Sequence, residues 1–318
     1  MREAQARDEA QPASPGSIRV RGLCRSFGSK VALAPLDLDI QPGVVTGLLG
    51  PNGSGKSTFM RTLIGLVPKT AGEAWVDGVK LSGDGTPIRK RCTFAPGELS
   101  FYGHLRGRDQ LAWLVAGRGK EALQRATRRA DDLGLPLRNR VRSYSHGMKR
   151  QLLFACALGP RVPVRILDEI TEGLDPSKRG SVLEILREDA ASGTTILLSS
   201  HHLAEVQRAC DHMVFLQGGL KLSEERAVDV RAQSRRSIHL DFQSAEDAKA
   251  FSERARGTDV ANIQQRENQL TLQLANEDPR ATLVRLFQDE SAPRPLRMDY
   301  GELSLEHLYR DLYGEDAC

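Results

Sequence analysis

A chain of 318 residues has room for one large domain and one small one. With 40% apolar and 27% charged residues it has a globular composition, and no run is long and apolar enough to cross a bilayer; Leu152 to Leu158 and Thr195 to Leu198 are short and read as core. A formal net charge of +4, with basic residues in short clusters such as Arg89, Lys90 and Arg91, gives no reason to expect a nucleic-acid partner and places those clusters on solvated helix faces.

The first residues, Met1 to Gly16, are polar and lack the apolar centre of a secretory signal, so residues 1–17 are expected to be a flexible tail. Ile18 to Leu23 and Leu36 to Ile40 alternate as strands, and Gln41-Pro42-Gly43 turns the chain. Val44 to Leu49 is an apolar run ending at Gly50, as a buried strand does. Ser57 to Val67 has helical spacing, and Ala74-Trp75-Val76 followed by Asp77-Gly78 predicts a hairpin. From about 103 to 160 the pattern is helical, chiefly at Leu111 to Val115, Glu121 to Leu133 and Lys149 to Leu158. Then come a strand at Val164 to Leu167, a helix at Arg179 to Ala191, a strand at Thr194 to Ser199, a helix at Ala204 to Cys210 and a strand at Met213 to Leu216. Strands alternating with helices predict a largely parallel sheet covered on both faces, an α/β fold.

After about residue 232 the character changes. Strands are expected at Ser237 to Phe242, Asp259 to Gln264, Gln269 to Leu274 and Pro295 to Tyr300. Helices are expected at Ala245 to Arg256, Pro279 to Gln288 and Leu303 to Tyr313. The order β-α-β-β-α-β predicts a small ferredoxin-like α+β domain over 232–318, beside a large domain over 18–231. The five cysteines, at 24, 92, 156, 210 and 318, form no C-x-x-C pair, which argues for a reducing compartment and against a zinc site; Cys156 reads as core.

Two motifs carry chemistry. Residues 50 to 58 read Gly-Pro-Asn-Gly-Ser-Gly-Lys-Ser-Thr, a fit to G-x-x-x-x-G-K-[ST] between a predicted strand and a predicted helix. Gly50, Gly53 and Gly55 let the loop turn its backbone N–H groups inward, with Asn52 and Ser54 between them, onto phosphate oxygens, and the helix that follows presents its positive end to the same anion. Lys56 can reach the outer phosphates, Ser57 can offer a hydroxyl to Mg²⁺, and Thr58, last residue of the motif, is counted with them as ATP-binding. The second motif is Asp168-Glu169, at the end of the strand from Val164. Alone it would be two surface acids; in a sheet that carries a phosphate loop, Asp168 is placed to hold Mg²⁺ and Glu169 to polarise an attacking water as general base. Arg165, inside that same strand, has no explanation in the sequence.

Residues 143 to 151, Ser-Tyr-Ser-His-Gly-Met-Lys-Arg-Gln, lie between these motifs, and the three together resemble the ABC ATPase family. The resemblance covers about residues 18 to 220. It implies an ABC ATPase core with a helical subdomain at about 103–160, and hydrolysis of ATP to ADP and phosphate with Mg²⁺ as cofactor. It makes Ser145, His146, Gly147 and Met148 the signature segment, directed at the ATP of a second subunit; on its own, Ser145 would be a helix cap. Phe27 looks like the aromatic that stacks on adenine, Gly173-Leu174-Asp175 resembles the loop in which Asp175 crosses the dimer interface, and His201 resembles the switch histidine that holds the attacking water. His202 has no family role. The implied assembly is a homodimer docked on integral membrane permease subunits, cytoplasmic and peripheral on the inner face of the cell membrane. The ending from Leu303 to Tyr309 looks like the tail of ATPases serving ABC-2 type exporters.

Two positions depart from the family. Ile170 stands where proline usually follows the acid pair. Gly97, in Phe94-Ala95-Pro96-Gly97-Glu98, replaces a glutamine that links the Mg²⁺ site to the membrane partner. Glu98 is near enough in sequence to take over part of that role, or to be an exposed acid meeting the membrane partner. Two rival readings accompany the transporter one. A nucleic-acid or ribosome ATPase would usually carry two cassettes, a coiled-coil insertion or zinc fingers, none of which is present. A regulatory subunit that binds ATP without turnover is hinted at by Gly97 and opposed by Glu169 and His201.

Overall fold

The computed structural model describes residues 14–98, 100–200, 209–222, 237–256, 260–274, 280–288 and 293–300. By contacts the chain divides into two units, Met1–Lys221 and Leu222–Cys318. His201, His202, most of the helix expected at Ala204 to Cys210 and all of that expected at Leu303 to Tyr313 lie outside the described residues, as do residues 1–13 of the expected tail.

In the first unit β1 (Ile18–Phe27), β2 (Lys30–Ile40), β4 (Ala71–Val76) and β5 (Val79–Lys80) form an antiparallel sheet in the order β2-β1-β4-β5. The β4–β5 turn is made by Asp77 and Gly78, both at positive φ (53° and 74°), the geometry that a two-residue hairpin requires. A six-stranded sheet takes the order β10-β9-β3-β8-β7-β6, from β3 (Val45–Leu49), β6 (Cys92–Ala95), β7 (Val164–Asp168), β8 (Thr195–Ser200), β9 (His212–Gln217) and β10 (Leu220–Lys221). It is parallel except for β10, which runs antiparallel to β9 at the edge.

Side chains alternate across this sheet with period two. Ile166 and Leu197 join the core formed with the antiparallel sheet and α1 (Lys56–Leu63), whereas Leu167, Ile196 and Leu198 join the core formed with α3 (Gly107–Leu114), α4 (Lys120–Asp132), α5 (His146–Leu158) and α6 (Pro176–Ala191). Both faces are therefore buried, and the continuous apolar runs read from the sequence follow from that. Cys156 is in the second of these cores.

α1 ends at Leu63, four residues before the expected Val67. Gly65 takes a left-handed φ of 73°, and the carbonyl of Arg61 accepts from the amides of Leu66 and Val67 at 2.9 and 3.2 Å. The helix stops because glycine permits this reversal, and Leu66 is left half exposed. A short helix, α2 (Thr86–Arg91), and β6 were not evident in the sequence. β6 has only four residues and follows directly on the basic end of α2.

Arg165 now has its explanation. Its buried guanidinium pairs with Asp189 of α6, donates to the carbonyl of Ala157 and reaches Thr93 Oγ1 at 3.4 Å. It ties β7 to the helices on one face; removing one partner of so buried a pair typically costs about 3–5 kcal/mol.

The second unit has the order β11 (Ser237–Asp241), α7 (Ala245–Ala255), β12 (Val260–Arg266), β13 (Gln269–Leu274), α8 (Arg280–Phe287), β14 (Arg297–Tyr300). Its sheet is antiparallel in the order β12-β13-β11-β14. Ile238, Leu240, Leu270, Leu272 and Leu274 alternate inward onto Ala248 and Phe251 of α7 and Leu286 of α8. Ser244 caps α7 by accepting from the amide of Asp247 at 3.1 Å.

Candidate nucleotide site

Strands β3, β7 and β8 deliver the site, because parallel strands bring their C-terminal ends to one edge of the sheet. Residues 50–58 leave β3 and enter α1, and their glycines are sterically compelled. A Cβ on Gly50 would lie 2.4 Å from the carbonyl oxygen of Leu216, and one on Gly55, at φ 103°, would lie 2.8 Å from that of Ala32. The loop closes on Lys56, which is almost fully buried and donates from Nζ to the carbonyls of Gly50 and Pro51 at 2.6 and 3.0 Å. Burial lowers the pKa of Lys56, while Glu169 and Asp168 oppose that shift.

Asp168 is the last residue of β7 and has no exposed surface. Its Oδ1 accepts from Ser199 Oγ at 2.6 Å, and its Oδ2 is buried with no hydrogen-bond partner in the protein. Glu169 has a left-handed backbone, φ 49°, a conformation that costs a non-glycine residue about 1–3 kcal/mol. Its amide donates to the carbonyl and to Oγ of Ser199, at 3.2 and 2.9 Å, and those two bonds hold the strained turn in place. Burial raises the pKa of Glu169; Lys56 opposes this, and the neighbouring Glu172 and Asp168 add to it.

These groups share one cavity of about 640 Å³. Asn52 to Thr58 line it together with Phe27, Arg61, Gly97, Glu98, Asp168, Glu169 and Glu172. Phe27 is half exposed, and the guanidinium of Arg25 lies 4.2 Å from the centre of its ring, a cation–π contact. Gly50, also named from the sequence, lies at the base of the loop and is not among the lining residues.

Ser145, His146, Gly147 and Met148 are outside the lining of this cavity. Ser145 is the N-cap of α5, accepting from the amide of Met148 at 3.2 Å, and both Ser145 and His146 are exposed. The segment packs against the 173–175 turn of the same chain: a Cβ on Gly147 would lie 2.9 Å from the carbonyl oxygen of Gly173, and one on Gly173 would lie 2.4 Å from Nδ1 of His146. Asp175 caps α6, its Oδ1 accepting from the amide of Lys178 at 2.9 Å.

Several site residues had no signal in the sequence. Ser199 positions both acids, yet in the sequence it is only the last residue of a predicted strand. Arg150, from α5, and Glu172, from the turn after β7, pair at 3.3 Å beside the acid pair. Ile170 is fully buried. Glu98 lines the same cavity but is largely exposed, with its carboxylate 3.6 Å from Arg61.

Among the described residues no helix is long and apolar enough to cross a membrane. Residues 33–172 match the model of the ABC transporter family. The chain is 34% identical over 224 residues to the daunorubicin resistance ATP-binding protein DrrA3 of Streptomyces coeruleorubidus, a match covering 69% of this chain and 71% of that protein. A longer match, 29% identical over 309 residues, covers 95% of this chain and 93% of the daunorubicin/doxorubicin resistance ATP-binding protein DrrA of Streptomyces peucetius. A solved structure of the ATP binding subunit of an ABC transporter superposes with a TM-score of 0.60 at 29% identity, covering 68% of this chain and 92% of that one. A phosphate loop, a buried carboxylate with a free oxygen and a strained glutamate beside it thus meet in a chain that belongs to the ABC transporter family, as one of its ATP-binding, ATP-hydrolysing subunits.

Proposed function

We propose that this subunit is a Mg²⁺-dependent ATPase that works as a head-to-tail homodimer and drives export through separate membrane subunits. One observation carries the catalytic part: Lys56, Asp168 and Glu169 line the same cavity as the phosphate loop. The orphaned Oδ2 of Asp168, near Ser57 in the same cavity, has the donor chemistry of a Mg²⁺ ligand, a hard oxygen without a competing partner. Bound there with Ser57, Mg²⁺ would supply charge neutralisation to the phosphates. The loop amides and Lys56 bind and orient the triphosphate, Phe27 offers its ring to the base, and Glu169, held at a raised pKa by burial, takes the proton of the attacking water. His201 is assigned to the same water on resemblance alone.

The dimer reading is supported by the signature segment, whose Ser145 and His146 are exposed and which does not line this chain's own cavity, and by its packing on the 173–175 turn. Ser145→Arg is expected to abolish ATP-driven dimerisation in sizing chromatography while leaving ATP binding to the monomer intact. Docking on membrane subunits is supported by Tyr102 and Trp113, both about half exposed and edge-to-face at 5.0 Å. Export rather than import rests on the relatives, which are named for drug resistance. The 232–318 region is read as a ferredoxin-like accessory domain, an interpretation supported by its element order and strand order. Phosphate release by the purified chain tests the core of the proposal: turnover is expected with MgATP and none in excess EDTA. EDTA-resistant turnover would remove the metal from it.

A further inference from the structure

Arg150 lies in the second turn of α5, five residues after the Ser145 cap, about 7.5 Å along the same rigid helix. Among the described residues it is the largest fully buried side chain, at 1% exposure. A buried cation is costly unless its partners satisfy it, and here the partners are unusual. One guanidinium nitrogen donates to the carbonyl of Gly97 at 2.7 Å and, more weakly, to that of Pro96 at 3.4 Å. The other faces Glu172 Oε2 at 3.3 Å, and Nε has no partner.

Both contacts lead to the acid pair. A Cβ placed on Gly97 would sit 3.4 Å from Asp168 Oδ2 and 3.5 Å from Glu169 Oε2, so the turn that Arg150 grips lies against both reactive carboxylates. Glu172 in turn lines the same cavity as Glu169 and is among the neighbours that raise its pKa. The guanidinium therefore bridges three places that are distant in sequence: the signature helix, the turn after β6 and the neighbour of the general base. We propose that Arg150 is a positioning residue that ties the signature helix to Asp168 and Glu169, by way of the Gly97 carbonyl and Glu172, in a chain whose residue 97 has no side chain to make that link. The proposal rests on Glu169 and Asp168 acting as assigned above.

The test uses the full chain with Arg150→Met, which keeps length and apolar stem, and Arg150→Lys, which keeps charge but loses the fork. With Arg150→Met, ATP affinity and KM are expected to stay within about threefold of wild type while kcat falls at least about tenfold, with Arg150→Lys in between. In parallel, amide hydrogen exchange at residues 97–98 is expected to quicken about tenfold or more in Arg150→Met, with residues 52–58 unchanged. If Arg150→Met does not fold, Arg150→Lys carries the same comparison. Unchanged kcat, or kcat and ATP affinity falling together, overturns the proposal, the second result leaving Arg150 a purely structural bridge. Should wild type itself fail to hydrolyse ATP, the ATPase assignment is what fails, and unchanged exchange at 97–98 would then sink the tether separately.

Discussion

Two turns meet the same cavity, and they are made in opposite ways. The loop from Gly50 to Thr58 does its work with main chain: glycines are forced by contacts of 2.4 and 2.8 Å, and amides do the binding. The turn at Pro96 to Glu98 has a glycine that nothing forces; a Cβ on Gly97 meets only ordinary contacts, and its φ is not in the left-handed region. Its place is set from outside, by an arginine 53 residues later in the chain. Where chemistry is carried by backbone, the permitted residues are few and a motif results. Where a distant side chain supplies the constraint, the local sequence is free to drift.

The comparison can be broken most directly at the phosphate loop. Lys56→Ala is expected to lower ATP affinity by a factor on the order of 10² or more, since a buried charge on the phosphates is lost; near-normal binding by calorimetry would void the assignment of the loop. Gly50→Ala should nearly match it, because its methyl group would lie 2.4 Å from a backbone oxygen that cannot move aside. Glu169→Gln should leave ATP affinity close to normal while hydrolysis drops by a factor on the order of 10². The same variant should trap an ATP-bound dimer, and a monomer in sizing chromatography with ATP would count against the dimer.

The smallest effect belongs to the second turn. Gly97→Ala fits the available space and should change ATP affinity and kcat by no more than about threefold. Gly97→Gln places an amide beside Asp168 and should alter the Mg²⁺ concentration that gives half-maximal rate. A collapse of ATP binding in Gly97→Ala, as large as that in Gly50→Ala, would erase the distinction between the two turns.

Much of the fold could be read from the sequence because its signals are local. Val44 to Leu49 and Thr194 to Ser199 announced buried strands, and Asp77-Gly78 announced a hairpin whose φ values are both positive. The loop with Lys56 and the pair Asp168-Glu169 were legible for the reason given above. What escaped was non-local. β6 is four residues long and becomes a strand only by pairing with β7. Ser199 looks like any strand-end serine until its hydroxyl is seen between Asp168 and the amide of Glu169. Glu98 was open to two readings, a stand-in for the missing glutamine or an exposed acid; adjacency in sequence could not choose between them, and the side chain is exposed, 3.6 Å from Arg61.

Arg165 has a bearing on the order in which the protein can be built. Its counter-charge, Asp189, follows 24 residues later. While the chain is still emerging from the ribosome, β7 carries a cation toward the middle of a sheet with no carboxylate yet made to neutralise it. At roughly 5–20 residues per second, that condition lasts on the order of one to five seconds. β3, which leads into the phosphate loop, pairs with β8 and β9, and both are synthesised after Asp189, so the loop and the acid pair settle only once the cation on β7 already has its counter-charge.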